Sequence, residues 1–209
     1  KYSDVTIFSF HPVKIITSAE GGMVATNNKD LAKKMKLLRS HGINRDDKEM
    51  VNKVDGQWYY EQSTIGYNFR MTDIHAALGL SQLKRLDSYV EARISIAEHY
   101  NQALKDLPLT LPLDSKSSSW HLYVIKVDPK RTNISRNFLF KRMRELGVGV
   151  NVHYIPVHLQ PFYQKKGFKR GDFPISEKYY DNVLSLPIFP TMTPKQKKKV
   201  VDALHKILK

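Results

Sequence analysis

The sequence predicts an α/β protein built in two parts. Three observations say so. From Val5 to Ser40 it reads as strand, turn, strand and helix; from Thr72 to Leu107 apolar residues recur at helical spacing; and from Leu122 onward strand-like and helix-like segments alternate.

In the first part, Val5, Ile7, Phe8 and Phe10 read as a buried strand, and Met23, Val24, Ala25 and Thr26 as a second one behind the flexible Gly21 and Gly22. A helix follows from about Asn28 to Ser40, with Asn28 as its cap, Leu31, Met35 and Leu38 on one face, and Gly42 beyond its end. Arg45 to Ser63 is polar apart from Trp58, Tyr59 and Tyr60, a long loop of the kind that usually serves function or a partner. Thr72 opens the longest periodic segment, in which Ile74, Ala77, Leu78, Leu83, Leu86, Val90, Ile94, Ala97 and Leu104 recur by threes and fours up to the Leu107-Pro108 stop. This is one long helix or two consecutive ones, and it is the natural bridge between domains. Pro108, Pro112 and the Ser115 to Ser119 stretch read as a linker.

In the second part, Leu122 to Val127 reads as a strand, Ser135 to Leu146 as a helix stopped by Gly147, and Val148 to His153 as another strand. A loop from Pro156 to Gly171 leads to a short helix capped by Ser176, a strand from Leu184 to Ile188, and a last helix opened by Thr193 and Pro194. The expected division is residues 1–107 and 108–209. The second part is complete enough for a small domain. The first cannot bury its own apolar faces, and Lys1 falls inside what reads as a core strand, so the sequence is expected to be the carboxy-terminal piece of a longer protein.

Lys14 is the leading candidate for chemistry. It stands alone as a cation in the bend between two apolar strands, with Gly21 and Gly22 behind it. A lysine desolvated there loses charge, and a neutral amine attacks a carbonyl to form a Schiff base. The alternative is a lysine that lays its stem on apolar surface and keeps its amine in water.

Composition bounds the rest. With 209 residues and 41% apolar content the chain can form a real core. No apolar run approaches membrane-helix length and no leader pattern is present, so a soluble protein of the cytoplasm is expected, with no membrane partner. The absence of cysteine excludes disulfides, cysteine nucleophiles and thiolate metal sites, and the eight histidines show no HExxH-like pairing, so no metal is expected. The formal charge of +14 is spread over several helices, with one dense cluster from Lys195 to Lys199, and no nucleic-acid-binding pattern accompanies it. It reads as solvated surface, with no nucleic-acid partner.

Several segments together resemble one family. They are Ser9-Phe10-His11-Pro12-Val13-Lys14, Ala19-Glu20-Gly21-Gly22-Met23-Val24, Arg39-Ser40-His41-Gly42, Gly66-Tyr67-Asn68-Phe69-Arg70-Met71-Thr72-Asp73-Ile74, Ala76-Ala77-Leu78-Gly79-Leu80, Gln82-Leu83, His121-Leu122-Tyr123 and Val152-His153-Tyr154. In this order they are similar to the DegT/StrS sugar aminotransferases, and chance does not produce so many ordered agreements. The resemblance implies the pyridoxal-phosphate-dependent transferase fold of the aspartate aminotransferase type, here the end of the large domain plus the small carboxy-terminal α/β domain. It also implies a homodimer with shared active sites.

On that resemblance Lys14 falls on the Schiff-base lysine, which holds pyridoxal 5'-phosphate and shuttles a proton during transamination. Ser9 matches a residue that binds the cofactor phosphate, and Asn68 one that reaches the phosphate from the neighbouring subunit. Asn151, Val152, His153 and Tyr154 match a strand end that lines the sugar-nucleotide site. The His-Pro-Val-Lys segment followed by Ile-Thr-Ser-Ala-Glu-Gly-Gly is similar to the pseudaminic-acid branch, which implies amination at C4 of a UDP-linked 4-keto-6-deoxy-N-acetylhexosamine with glutamate as donor. One departure stands out. The family's acidic residue for the pyridine nitrogen lies upstream of the Ser-Phe-His-Pro segment and has no counterpart here, so the piece alone is expected to bind cofactor poorly. A truncated, non-catalytic family member acting as a binding or regulatory partner is the alternative.

Overall fold

The computed structural model describes residues 2–113 and 117–209. Lys1, and Ser115 of the expected linker, lie outside the described residues. The chain forms two compact units, residues 1–86 and 87–209.

In the first unit, strands β1 (Thr6–Ser9) and β2 (Gly22–Ala25) pair antiparallel, Thr6 opposite Ala25 and Ser9 opposite Gly22. Helix α1 (Lys29–Arg39) starts where the sequence places it, because Asn28 Oδ1 accepts the free amides of Asp30 at 2.9 Å and Leu31 at 3.1 Å. A two-residue pairing joins β3 (Ile43–Asn44) to β4 (Glu61–Gln62). Between them, Glu61 gathers the expected loop. Its carboxylate accepts from the amides of Val51 and Asn52, both at 2.7 Å, and from the Asn52 side chain at 2.9 Å. Helix α2 (Asp73–Leu83) is capped by the Thr72 hydroxyl.

The expected burial of β1 and β2 is not what the chain shows. Every residue of both strands is exposed, Ile7 at 77%, and among the described residues of this unit only Ser18 and Gly42 are buried. Period and length make a strand; burial needs a second layer, which these two strands do not receive within the unit.

The second unit has a core. Helix α3 (Leu86–Leu104) is separate from α2, so the long periodic segment is two helices, and α3 buries Ile96, Ala97, Tyr100 and Leu104. That burial assigns α3 to the second unit. The compact division therefore falls after Leu86, ahead of the 107/108 boundary read from the sequence. Strands β5 (Leu109–Thr110), β6 (Tyr123–Val127) and β7 (Val183–Leu186) form an antiparallel sheet in the order β5-β6-β7. β6 lies within the strand expected from Leu122 to Val127, and its burial alternates, with Tyr123, Ile125 and Val127 fully buried.

Around the sheet lie α4 (Pro129–Thr132), α5 (Arg136–Glu145), α6 (Pro161–Gln164), α7 (Pro174–Asn182) and α8 (Pro194–Leu208). Ser135 caps α5, and Thr193, the cap expected for the last helix, forms a reciprocal cap with Gln196 on α8. Leu139 and Met143 of α5 and Leu204 of α8 are fully buried with Leu104, Tyr123 and Ile125.

Three expectations need correction. Val148 to His153 keeps strand-like alternation, Val148 and Val150 buried between exposed neighbours, but makes only an isolated bridge, Asn151 to Ser185. Ser176 does not cap α7, since Pro174 supplies the first turn two residues earlier. β5 lies inside the expected linker, because Leu109 and Thr110 pair with Val127 and Lys126.

Candidate active site

Lys14 is built into position by main-chain bonds. The His11 carbonyl accepts the Lys14 amide at 3.0 Å, closing a turn with Pro12 at its second position, where a fixed φ favours it. The neck of this loop is clamped at Phe10. Its amide donates to the Gly21 carbonyl at 2.9 Å, and its carbonyl accepts both the Ser18 amide at 3.1 Å and the Thr17 hydroxyl at 2.8 Å. Thr17 Oγ1 also accepts the Ala19 amide at 2.9 Å, and Ser18 Oγ donates to the Glu20 carbonyl at 2.9 Å.

The chain leaves the loop through Ala19 (φ 68°) and Gly21 (φ 153°). A Cβ at Gly21 would lie 2.5 Å from Met71 Cε and 2.6 Å from Ser18 Oγ, so that step needs glycine for both conformation and space. Ser18 is wholly buried. Lys14 itself is partly buried at the head of this clamped loop.

Ser9 ends β1 opposite Gly22, and its side chain is exposed. Asn68 is held from elsewhere. The segment around it runs along the end of α1: the Tyr67 amide donates to the Leu38 carbonyl at 2.7 Å, the Phe69 amide to the Arg39 carbonyl at 3.0 Å, and Ser40 bridges Asn68. Tyr67 and Phe69 stack on either side of Asn68 in sequence, with ring centroids 4.8 Å apart and planes 3° from parallel. No hydrogen bond or ion pair among the described residues engages the Lys14 amine, the Ser9 hydroxyl or the Asn68 amide. Met71, three residues after Asn68, reaches the Gly21 step. A separate cleft of about 880 Å³ gathers Lys29, Lys33, Lys36, Arg45 and Arg70, and contains none of the predicted site residues.

The second unit places Asn151, Val152, His153 and Tyr154 together after the Ser185 bridge. His153 Nδ1 lies 2.8 Å from Ser185 Oγ, and its Nε2 lies 3.5 Å from Asn151 Nδ2. The Tyr154 ring meets the His153 ring edge-on at 4.5 Å, and Tyr154 is 70% exposed. Burial holds the His153 imidazole below its ordinary pKa, which favours the neutral ring.

The sequence reading missed three features. Thr17 was legible as a hydroxyl two residues before a left-handed turn, a local pattern with its own mechanism. The His158–Glu177 pair was not, because its members are far apart in sequence. Glu177 Oε1 lies 2.8 Å from His158 Nε2, and its carboxylate accepts the Gly171 amide at 2.8 and 2.9 Å and the Phe173 amide at 3.3 Å. This pair, with both residues buried, ties down the excursion between the short 3-10 turn Val157–Leu159 and α7. Ser185, buried in an apolar strand, is the third.

The profile of the DegT/DnrJ/EryC1/StrS aminotransferase family matches residues 1–205. The spore coat polysaccharide biosynthesis protein SpsC of Bacillus subtilis is 40% identical over 211 residues, covering 99% of this chain and 54% of SpsC. An uncharacterised protein of Methanocaldococcus jannaschii is 42% identical over 209 residues, covering 98% of this chain and 54% of its own length. Among solved structures, Helicobacter pylori PseC, an aminotransferase involved in the biosynthesis of pseudoaminic acid, superposes with a TM-score of 0.88 at 32% identity, covering 99% of this chain and 54% of PseC. A Streptococcus pneumoniae protein solved in PMP and PLP forms superposes with TM-scores of 0.87 and 0.85 at 28% identity, covering 98% and 99% of this chain and 53% of each of those. The chain thus spans about half the length of the curated relatives it matches. Its α/β architecture is part of the fold of the pyridoxal-phosphate-dependent transferases. On the profile match, which runs through both units, the chain belongs to the DegT/DnrJ/EryC1/StrS aminotransferase family.

Proposed function

We propose that this chain is part of a pyridoxal-phosphate-dependent aminotransferase that places nitrogen on C4 of a UDP-linked 4-keto-6-deoxy-N-acetylhexosamine, taking it from glutamate. The observation that carries the reading is the clamped turn that presents Lys14 in a chain matched along residues 1–205 by an aminotransferase family. The solved relative involved in pseudoaminic acid biosynthesis supports the choice of sugar.

The donor set suits pyridoxal phosphate. A partly buried primary amine answers an aldehyde, while a hydroxyl and an amide answer a phosphate without adding charge, and all three are uncommitted among the described residues. When bound, the cofactor supplies the electron sink that stabilises negative charge beside the transferred nitrogen. With the cofactor bound, Lys14 Nζ would hold its aldehyde carbon and would carry a proton to and from the donor α carbon. Ser9 Oγ would donate to the phosphate, and Asn68 would do so from the other subunit of a homodimer. Asn151, the Val152 backbone, His153 and Tyr154 orient the sugar nucleotide.

The test is a coupled assay on the intact protein with glutamate and a series of UDP- and dTDP-linked 4-keto sugars, with products identified by mass spectrometry. Amination of the UDP-linked N-acetylated sugar with matching loss of glutamate is expected. Failure to aminate any 4-keto nucleotide sugar overturns the proposal. Shared sites predict that inactive Lys14→Ala and Asn68→Ala subunits, mixed and reassembled, recover activity, since each mixed dimer then contains one site with both native residues.

A further inference from the structure

The strip that carries Asn151, Val152, His153 and Tyr154 is held at two points, and both belong to one continuous stretch of chain. Upstream, the Ser185 amide donates to the Asn151 carbonyl at 2.8 Å, the Asn151 amide donates to the Ser185 carbonyl at 3.2 Å, and Ser185 Oγ lies 2.8 Å from His153 Nδ1. Downstream, His158 Nε2 lies 2.8 Å from Glu177 Oε1. Glu177 is on α7 and Ser185 on β7, and the helix ends at Asn182 where the strand begins at Val183, with no loop between. All four residues of β7 pair with β6. Both anchors are therefore fixed to the packed sheet.

The Glu177 end is built as a clamp. Glu177 is 6% exposed and His158 8%. A carboxylate out of water is costly unless donors reach it, and here they come from three residues. The Gly171 amide spans both oxygens at 2.8 and 2.9 Å, the Phe173 amide reaches Oε1 at 3.3 Å, and the His158 ring completes the set. With both oxygens already accepting main-chain amides, the carboxylate accepts at the short contact too, and His158 Nε2–H donates. The Glu177 amide donates back to the Phe173 carbonyl at 3.0 Å, and the Phe173 ring packs against the His158 ring with centroids 4.7 Å apart. His158 is thus held by a bond on one side and a ring on the other.

Between the anchors the strip has little freedom. Tyr154 stands four residues before His158, a span of at most about 14 Å even when fully extended. Pro156, which is buried, fixes one φ within that span, and its carbonyl accepts the Leu159 amide at 2.9 Å to close the turn Val157–Leu159. Tyr154 is itself 70% exposed, with its ring edge-on to His153. An exposed side chain of this kind keeps its place through the chain that carries it.

We propose that Glu177 is a positioning residue that acts through His158 to order the strip 151–154, so that His153 and Tyr154 offer a preset surface to the sugar nucleotide. This rests on the proposed function for the identity of the ligand, whereas the ordering of Tyr154 does not depend on it. The consequence is a selective one: damage at Glu177 falls on the sugar half of the reaction and spares the glutamate half, which draws on Lys14.

The experiment has two arms on the intact protein, each with Leu139→Ala as a control that destabilises the same unit without touching the clamp. The first needs neither cofactor nor substrate. With 3-fluorotyrosine incorporated at position 154, the ¹⁹F resonance is expected to move toward the value of the free amino acid in Glu177→Ala and to stay in place in Leu139→Ala. No movement in Glu177→Ala, or the same movement in both variants, overturns the proposal. The second arm separates the half-reactions. Glu177→Ala is expected to leave the glutamate half-reaction, read by the absorbance of the bound cofactor, unchanged, and to raise KM for the sugar nucleotide about three- to tenfold, the worth of one hydrogen bond, with kcat little altered. Glu177→Gln keeps one acceptor oxygen; it is expected to show the same split at smaller size, and it carries both arms should Glu177→Ala fail to fold. An unchanged KM, or equal loss in both half-reactions, overturns the proposal. A wild-type protein that aminates no nucleotide sugar, with the ¹⁹F result as expected, contradicts the proposed function and leaves the ordering role of Glu177 supported.

Discussion

The surroundings of Lys14 and of His153 are held in place by different means. Around Lys14 the work is done by main-chain bonds converging on Phe10, by two hydroxyls and by one glycine step, in a unit where only two described residues are buried. Around His153 it is done by packing: the bridge to β7 rests on a sheet whose inner residues are wholly out of water. Local bonds can shape a loop without a core beneath it, whereas the His153 ring is held through Ser185, a buried residue of a packed strand. Mutations should therefore separate the two regions by the kind of damage they cause.

The largest effect belongs to Lys14→Ala. It should lower transamination by at least about 10²–10⁴-fold, the range for a positioned acid–base group, and abolish the visible absorbance of bound cofactor. The thermal midpoint of the cofactor-free chain should not move. Next is Leu139→Ala in the packed unit, expected to cost about 2–5 kcal/mol in urea unfolding, while Ile7→Ala in the 209-residue chain should stay within about 0.5 kcal/mol. Equal losses from the two would erase the contrast.

Gly21→Ala sharpens the view from the other side. The positive φ and the 2.5 Å approach to Met71 Cε should cost about 1–3 kcal/mol in loop geometry, read as weaker cofactor binding with the second unit's unfolding unchanged. Thr17→Val removes the hydroxyl bond to the Phe10 carbonyl and the acceptor of the Ala19 amide, and should loosen the loop by about 0.5–1.5 kcal/mol per bond, seen as faster amide exchange at Ala19.

The gentlest test is acid. Burial by itself raises the Glu177 pKa, but the bonds from His158, Gly171 and Phe173 outweigh it and hold the carboxyl below the ordinary value of 4.5. A folded-state value below the unfolded one means a stabilising contribution present above about pH 4.5 and lost as the pH falls through the lowered value. Urea midpoints of the second unit should be level above that point and decline below it, and Glu177→Gln should flatten the decline.

Much of this was legible in residues that act locally. Asn28, Thr72, Ser135 and Thr193 each cap the helix that follows because a short polar side chain meets free amides two or three residues on. The turn at Lys14 was legible for a similar reason, since Pro12 presets it. What was hidden depends on distant partners. Ile7 and Val24 have the spacing of a buried strand, yet burial belongs to whatever covers them, and within the unit nothing does. β5 is two residues long and exists only because β6 pairs with it. Ser185 looked like one more strand residue until His153, 32 positions earlier, was found against it.

The central claim is that Lys14 is the amine that holds the cofactor, and borohydride reduction of the intact protein with pyridoxal phosphate, followed by peptide mass spectrometry, tests it most directly. The account predicts one irreversibly modified peptide, carrying the phosphopyridoxyl group on Lys14, and none in Lys14→Ala. Modification at another lysine with Lys14 untouched, or no specific modification at all, would contradict it.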